Sequence, residues 1–152
     1  KNFNTMKKSI VTTLVFGLFL FSSCCTKKAT DDKKAQTSYF DTTWELEYIS
    51  GTRIAFEGLY PEVKPTLILN EKEMTYSGNS SCNAYTGSFT FNNNILQFGE
   101  TTRTMRYCDG GGEEAFFGML KKVSKPVIDS DGKLLLLLDD VPMMRFKKVV
   151  KK

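Results

Sequence analysis

The chain has 152 residues, with 21 Lys+Arg against 17 Asp+Glu, four Cys, one Trp and no His. That length fits one domain of ordinary size, and its 12 Phe and 6 Tyr exclude a largely disordered chain. Without histidine the sequence offers no Ser-His-Asp or Cys-His catalytic site and no His-ligated metal. The formal charge of +4 does not mark a nucleic-acid binder, because Lys1, Lys7 and Lys8 contribute three of those charges. Residues 41–152 carry 14 basic and 15 acidic groups, so no nucleic-acid partner is expected.

The chain opens with an address. Met6-Lys7-Lys8 is followed by a largely apolar run, Ile10 to Phe21, and then by Ser22-Ser23-Cys24-Cys25. A charged start, a short apolar segment and small residues are the parts of a secretory signal, and a run of 12 is too short to span a bilayer. Phe21-Ser22-Ser23-Cys24 resembles the lipobox of bacterial lipoproteins, with Phe21 where Leu is usual. The resemblance implies a signal peptide over residues 1–23 and lipidation at Cys24, with Cys25 as the competing residue. Its partner would be membrane lipid, and an anchor of two or more acyl chains holds durably. No acidic residue follows Cys24 directly, which points to the outer membrane. Residues 24–39 read as a lipidated flexible tether, since Thr26 to Ser38 has many charges and no large apolar side chain.

The folded domain is expected over residues 40–150. Trp44, Leu46 and Tyr48 alternate with Glu45 and Glu47, the period of a half-buried strand. Thr66 to Leu69 and Met74 to Tyr76 follow, separated by a turn at Glu71-Lys72. Tyr85, Gly87, Phe89 and Phe91 alternate with polar residues, Asn92-Asn93-Asn94 turns the chain, and Ile95 to Phe98 completes a hairpin. Glu113 to Val123 is the one helical segment, with Phe116, Met119, Leu120 and Val123 on one face and acids leading. A second hairpin joins Val127-Ile128 to Leu134–Leu138 through Ser130 to Lys133, and five consecutive leucines predict a strand covered on both faces. A last strand is expected from Met143 to Val149. The fold class is therefore mainly β, antiparallel, a barrel-like or two-layer curved sheet of seven or eight strands with one helix.

Cys82 and Cys108 are the only cysteines of this domain. In an oxidising compartment such a pair is expected to be a disulfide, closing a loop of about 25 residues and stabilising by about 3.5 kcal/mol. Reduced buried thiols, or a redox or metal pair, are the weaker alternatives, since neither Cys-x-x-Cys nor His is present.

Ser77-Gly78-Asn79-Ser80-Ser81-Cys82-Asn83-Ala84-Tyr85-Thr86-Gly87-Ser88-Phe89 resembles the Ser-Gly-x-x-Gly-Cys-Asn-x-Tyr-x-Gly-x-Tyr segment of the META domain, the HslJ-like family, with Ser81 in place of the usual Gly. Trp44-Glu45-Leu46 and Gly51 resemble its opening, Thr101 to Cys108 its second cysteine segment in a disturbed order, and Glu113-Glu114 with Phe117 its helix. The resemblance, over roughly residues 42–147, singles out Trp44, Gly78, Asn83, Tyr85 and Gly87. It implies an envelope location and a stress-related context rather than a reaction.

The remaining features are weaker. Asp129-Ser130-Asp131-Gly132 reads as a turn rather than a calcium loop, Asp109 to Glu113 as a flexible loop with a helix cap, and Arg103 and Arg106 as a solvated strand edge. The Asn83 side chain is expected to bond loop backbone. No catalytic residue, metal or cofactor is expected. The sequence thus predicts a non-enzymatic, lipid-anchored envelope protein with an envelope protein as partner. The alternative is a small-ligand module in a barrel mouth walled by Trp44, Tyr76 and Tyr85. An enzyme built on Glu45 and Glu47 is the remote third class.

Overall fold

In a computed structural model, residues 38–150 are described. The expected signal peptide, Cys24, Cys25 and most of the tether lie outside the described residues. Eight antiparallel strands form one curved sheet: β1 Trp44–Ile49, β2 Thr66–Asn70, β3 Thr75–Asn79, β4 Ala84–Asn92, β5 Ile95–Arg103, β6 Lys125–Ile128, β7 Leu134–Leu138 and β8 Val141–Lys148. The order β5-β4-β3-β2-β1-β8-β7-β6 joins two meanders through the pairing of β1 with β8. The sheet stays open but curls into an incomplete barrel: its end strands β5 and β6 do not pair, and they approach at one corner, where the Leu96 amide donates to the Ser124 carbonyl just ahead of β6 (2.7 Å).

Two helices occur among the described residues where one was expected. α1, Phe56–Leu59, is a single turn, and α2, Gly112–Leu120, is the predicted helix. α2 sends Phe116, Met119 and Leu120 into the core, where they join Trp44, Leu46, Leu67, Leu69, Tyr76, Leu134, Leu136, Met144 and Phe146. Burying this many large apolar side chains is the main driving force for the curl.

The turns follow from local chemistry. Asn93 and Asn94 both take φ near +60°, the two-residue turn whose twist matches an antiparallel pair. The Asp129 carboxylate accepts from the backbone amides of Asp131 and Lys133 (both 2.9 Å), so this acid is spent on its own turn.

Two expectations need correction. Tyr48 does not face inward: a bulge between Leu46 and Tyr48 breaks the alternation, Ile49 takes the buried place, and Tyr48 is 43% exposed beneath the Arg145 guanidinium. The leucine run is not covered throughout, since Leu135 is half-buried and Leu138 exposed, although β7 does lie inside the sheet. Tyr39 also packs with the domain: the Trp44 indole donates to the Tyr39 carbonyl (2.9 Å), and the Tyr39 ring packs edge-on against Phe91.

Glu45 and Glu47 lie on the outer face as ion-pair partners. Glu45 meets Lys147 (3.0 Å), and Glu47 meets Lys133 and Arg145 (both 2.6 Å). Burial alone would push the Glu47 carboxyl up, but the two hydrogen-bonded cations outweigh it and hold the carboxyl below its ordinary value. The two acids are thus tied to separate cations and do not converge.

Candidate functional site

At the end of the barrel where β3 leaves for β4, the loop Ser80–Asn83 faces the long connection from β5 to α2. Asn83 sits buried between them and uses both ends of its amide. Its Oδ1 accepts from the Thr104 hydroxyl (2.7 Å) and the Arg106 amide (2.8 Å); its Nδ2 donates to the Arg106 carbonyl (3.0 Å) and to Glu113 Oε2 (3.0 Å). The Asn83 side chain therefore holds Arg106 by both its backbone amide and its carbonyl, as a strand partner would. Glu113, on the first turn of α2 and 12% exposed, also accepts from the Ser80 hydroxyl and from Arg103 (2.5 Å). Arg103 is not a free solvated edge residue: its guanidinium bridges β5 to α2, paired with Glu113 and lying 5.5 Å from the Phe117 ring centre.

Cys82 and Cys108 are joined by a disulfide, a second cross-link between the same two loops. Cys82 is buried and Cys108 exposed. The connection between β5 and α2 is thus pinned twice, at Arg106 by Asn83 and at Cys108 by sulfur. On either side of Arg106 the loop holds its apolar side chains outward: Met105, just before it, is 98% exposed, and Tyr107, between the two pins, 88%. A half-open cavity of about 270 Å³ is lined by this loop, Met105 and Tyr107 included, and by Leu59, Asn83, Cys108 and Glu114. The described residues hold no group of three or more His, Cys, Asp or Glu that could bind a metal ion.

The family-motif residues have separable physical reasons. Gly78 lies where the Tyr85 side chain crosses β3, and the Tyr85 hydroxyl donates to the Thr66 carbonyl (2.6 Å). A Cβ on Gly78 would lie 2.0 Å from that carbonyl oxygen and 2.9 Å from the hydroxyl. Burial pushes the Tyr85 phenol well above its ordinary value, with neighbouring Tyr76 adding to the shift, so it remains a donor. A Cβ on Gly87 would come within 2.6 Å of the Tyr76 ring. Trp44 is fully buried at the centre of the core. Trp44, Tyr76 and Tyr85 line neither this cavity nor a second one of about 200 Å³ between β5 and α2, so the predicted ligand wall is instead solid core.

Ser81 has φ +83°, a conformation costly for a residue with a Cβ. Ser81→Gly should remove that strain. Against the larger entropy glycine loses on folding, a net gain of about 0.5–1 kcal/mol is expected, seen as a Tm higher by about 3 °C. An unchanged or lower Tm would show that the serine is held there without strain.

Sequence reasoning did not foresee the roles of Arg103 and Glu113 or the exposure of Met105 and Tyr107. The one available signal was that the two apolar residues at 105 and 107 fit neither the strand before them nor the helix after them.

Two solved NMR structures share this fold. An NMR structure of a protein from Burkholderia xenovorans superposes with a TM-score of 0.59 at 25% identity, over 78% of this chain and 88% of that one. A second NMR structure gives 0.50 at 20% identity, over 70% and 87%. A crystal structure of a DUF4847 family protein from Bacteroides vulgatus gives 0.48 at 11%, over 74% and 94%. No curated protein matches the chain. The model of the META domain family matches residues 36–150, and with that match covering most of the sequence, the chain belongs to the META domain family.

Proposed function

We propose that this META-domain chain is a non-enzymatic protein of the bacterial envelope, lipid-anchored through Cys24, that binds a protein partner with its β5–α2 loop. The carrying observation is the pair Met105 and Tyr107, held almost fully exposed on a connection pinned at both Arg106 and Cys108. Exposed large apolar side chains are the usual anchors of an interface, and a loop already ordered loses little entropy on binding. The lipobox-like Ser22-Ser23-Cys24 and the charged tether supply the membrane half of the reading. The family resemblance supports a stress-related setting.

The small-ligand alternative keeps less support. Its wall is packed core, and Asn83 and Glu113, two of the polar groups at the remaining cavity, are already bonded to protein.

The test is a crosslinked pull-down of the full chain from envelope membranes, beside the Met105→Ser/Tyr107→Ser variant. One protein recovered in near-equal amount with the wild type and reduced at least about tenfold with the variant, at unchanged Tm, is the expected result. Equal recovery by both chains would overturn the loop as the contact. Intact mass of the same membrane fraction reads the acyl chains at Cys24 directly, and an unmodified cysteine there would remove the anchor.

A further inference from the structure

The two pins on the β5–α2 loop are chemically different, and only one of them can be undone by a reagent. We propose that Cys82–Cys108 is a thiol-exchange site: a dithiol reductant attacks Cys108 in the folded protein and releases residues 107–111, while Arg106 and the barrel stay in place.

The asymmetry of the bond selects the sulfur attacked. Cys108 is exposed on the loop and Cys82 is buried against Asn83. A thiolate of the reductant therefore bonds to Cys108 Sγ, the Cys82–Cys108 bond breaks, and its electron pair leaves on Cys82 Sγ. That leaving sulfur takes up a solvent proton; it lies 3.4 Å from Asn83 Nδ2, whose two N–H groups serve the Arg106 carbonyl and Glu113 and can at most be shared with it. The second thiol of the reductant then attacks its own mixed-disulfide sulfur and frees Cys108. Two electrons pass to the protein, two cysteine thiols form, and one dithiol closes to a disulfide.

The consequence is local for structural reasons. Cys82 Sγ is also 3.4 Å from the Arg106 carbonyl, so the new thiol gains an acceptor where it stands. The Arg106 amide remains on Asn83 Oδ1, and Thr104 on the same atom. Beyond Arg106 the hold is slight. Tyr107 donates only to exposed Asp109, and Gly110 and Gly111, both at positive φ, lead into α2 without a side-chain cap. Reduction therefore loosens Tyr107, one of the two outward apolar residues, and leaves Met105 held between Thr104 and Arg106. The inference rests on the two pins and stands whether or not the loop contacts a partner.

The experiment uses the full-length chain carrying Cys24→Ser and Cys25→Ser, so that only Cys82 and Cys108 react. Dithiothreitol is the probe under native conditions. The reduction rate should rise in proportion to its concentration, and glutathione added as a monothiol should be trapped by mass spectrometry on Cys108. Chymotryptic cleavage after Tyr107 should then increase about tenfold while the exchange protection of the Arg106 amide holds. A rate that saturates at the global unfolding rate, a glutathione adduct on Cys82, or loss of protection at Arg106 would each overturn the proposal. Cys82→Ala/Cys108→Ala gives the released loop without reagent and should show the same cleavage in a folded barrel; an unfolded variant would show that the disulfide holds the barrel itself.

Discussion

Gly78→Ala is expected to lower the Tm by about 12 °C, equivalent to about 3 kcal/mol, the largest loss for one methyl group in this domain. The cause is a crossing of two strands and one side chain at a single point. β3 pairs with β4 so that Gly78 stands opposite Tyr85, and Tyr85 reaches across it to the carbonyl of Thr66 on β2. The added Cβ would sit 2.0 Å from the Thr66 oxygen, which is backbone and cannot step aside as a side chain could. Either β2 separates from β3 or the Tyr85 bond is lost, and the latter alone costs about 1 kcal/mol. Tyr85→Phe separates the two. It should cost only about 1 kcal/mol by itself, and Gly78→Ala placed on it should remain strongly destabilising, because the clash with the Thr66 carbonyl survives removal of the hydroxyl. Chemical denaturation of the four chains measures both terms. A Gly78→Ala chain that melts within about 3 °C of the parent would mean that β2 and β3 move apart freely, contrary to this account.

What could be seen from the residues alone divides by range. Asn93-Asn94 announces its own turn, because the tolerance for positive φ belongs to the residue itself. Phe116, Met119 and Leu120 announce their helix because their spacing is local. The pairing of β1 with β8 joins residues about a hundred positions apart, and nothing in either strand names its partner. The bulge that turns Tyr48 outward depends on that pairing, which is why simple alternation misplaced it. α1 is four residues long, too short for any periodicity to reveal. At the site, the two cysteines were legible as a pair because they are the only two of the domain and no Cys-x-x-Cys or His competes for them. The motif residues Gly78, Asn83 and Tyr85 could be picked out by resemblance, but their reasons appear only when Thr66 and Arg106 are brought beside them. Arg103 read as a solvated edge and Glu113 only as an acid leading a helix, because their ion pair closes across a loop that no sequence window reads as a turn.

Asn83→Ala is expected to cost about 3 kcal/mol even though the disulfide remains. The amide satisfies the Arg106 amide and carbonyl, the Thr104 hydroxyl and the Glu113 carboxylate together, and methyl can satisfy none of them. Water entering the space would recover part of this, but Glu113 keeps only Ser80 and Arg103. Hydrogen exchange of the Arg106 amide should accelerate by about a hundredfold, far more than that of the β7 amides, since the opening is local. Asn83→Asp tests the electrostatic half of the argument. It preserves shape but places an oxygen where Nδ2 now donates to Glu113 and to the Arg106 carbonyl. At neutral pH it should be at least as destabilised as the alanine variant, because two carboxylates then face each other at hydrogen-bond distance. The new carboxyl is raised in the folded chain relative to the unfolded one. Its penalty is therefore present above the folded value and fades as pH falls through it, so the Asn83→Asp chain should gain on the Asn83→Ala chain under mild acid. A constant gap between the two variants from neutral pH to mild acid, or an Arg106 amide that exchanges as slowly in both as in the parent, would show that the disulfide alone fixes this loop.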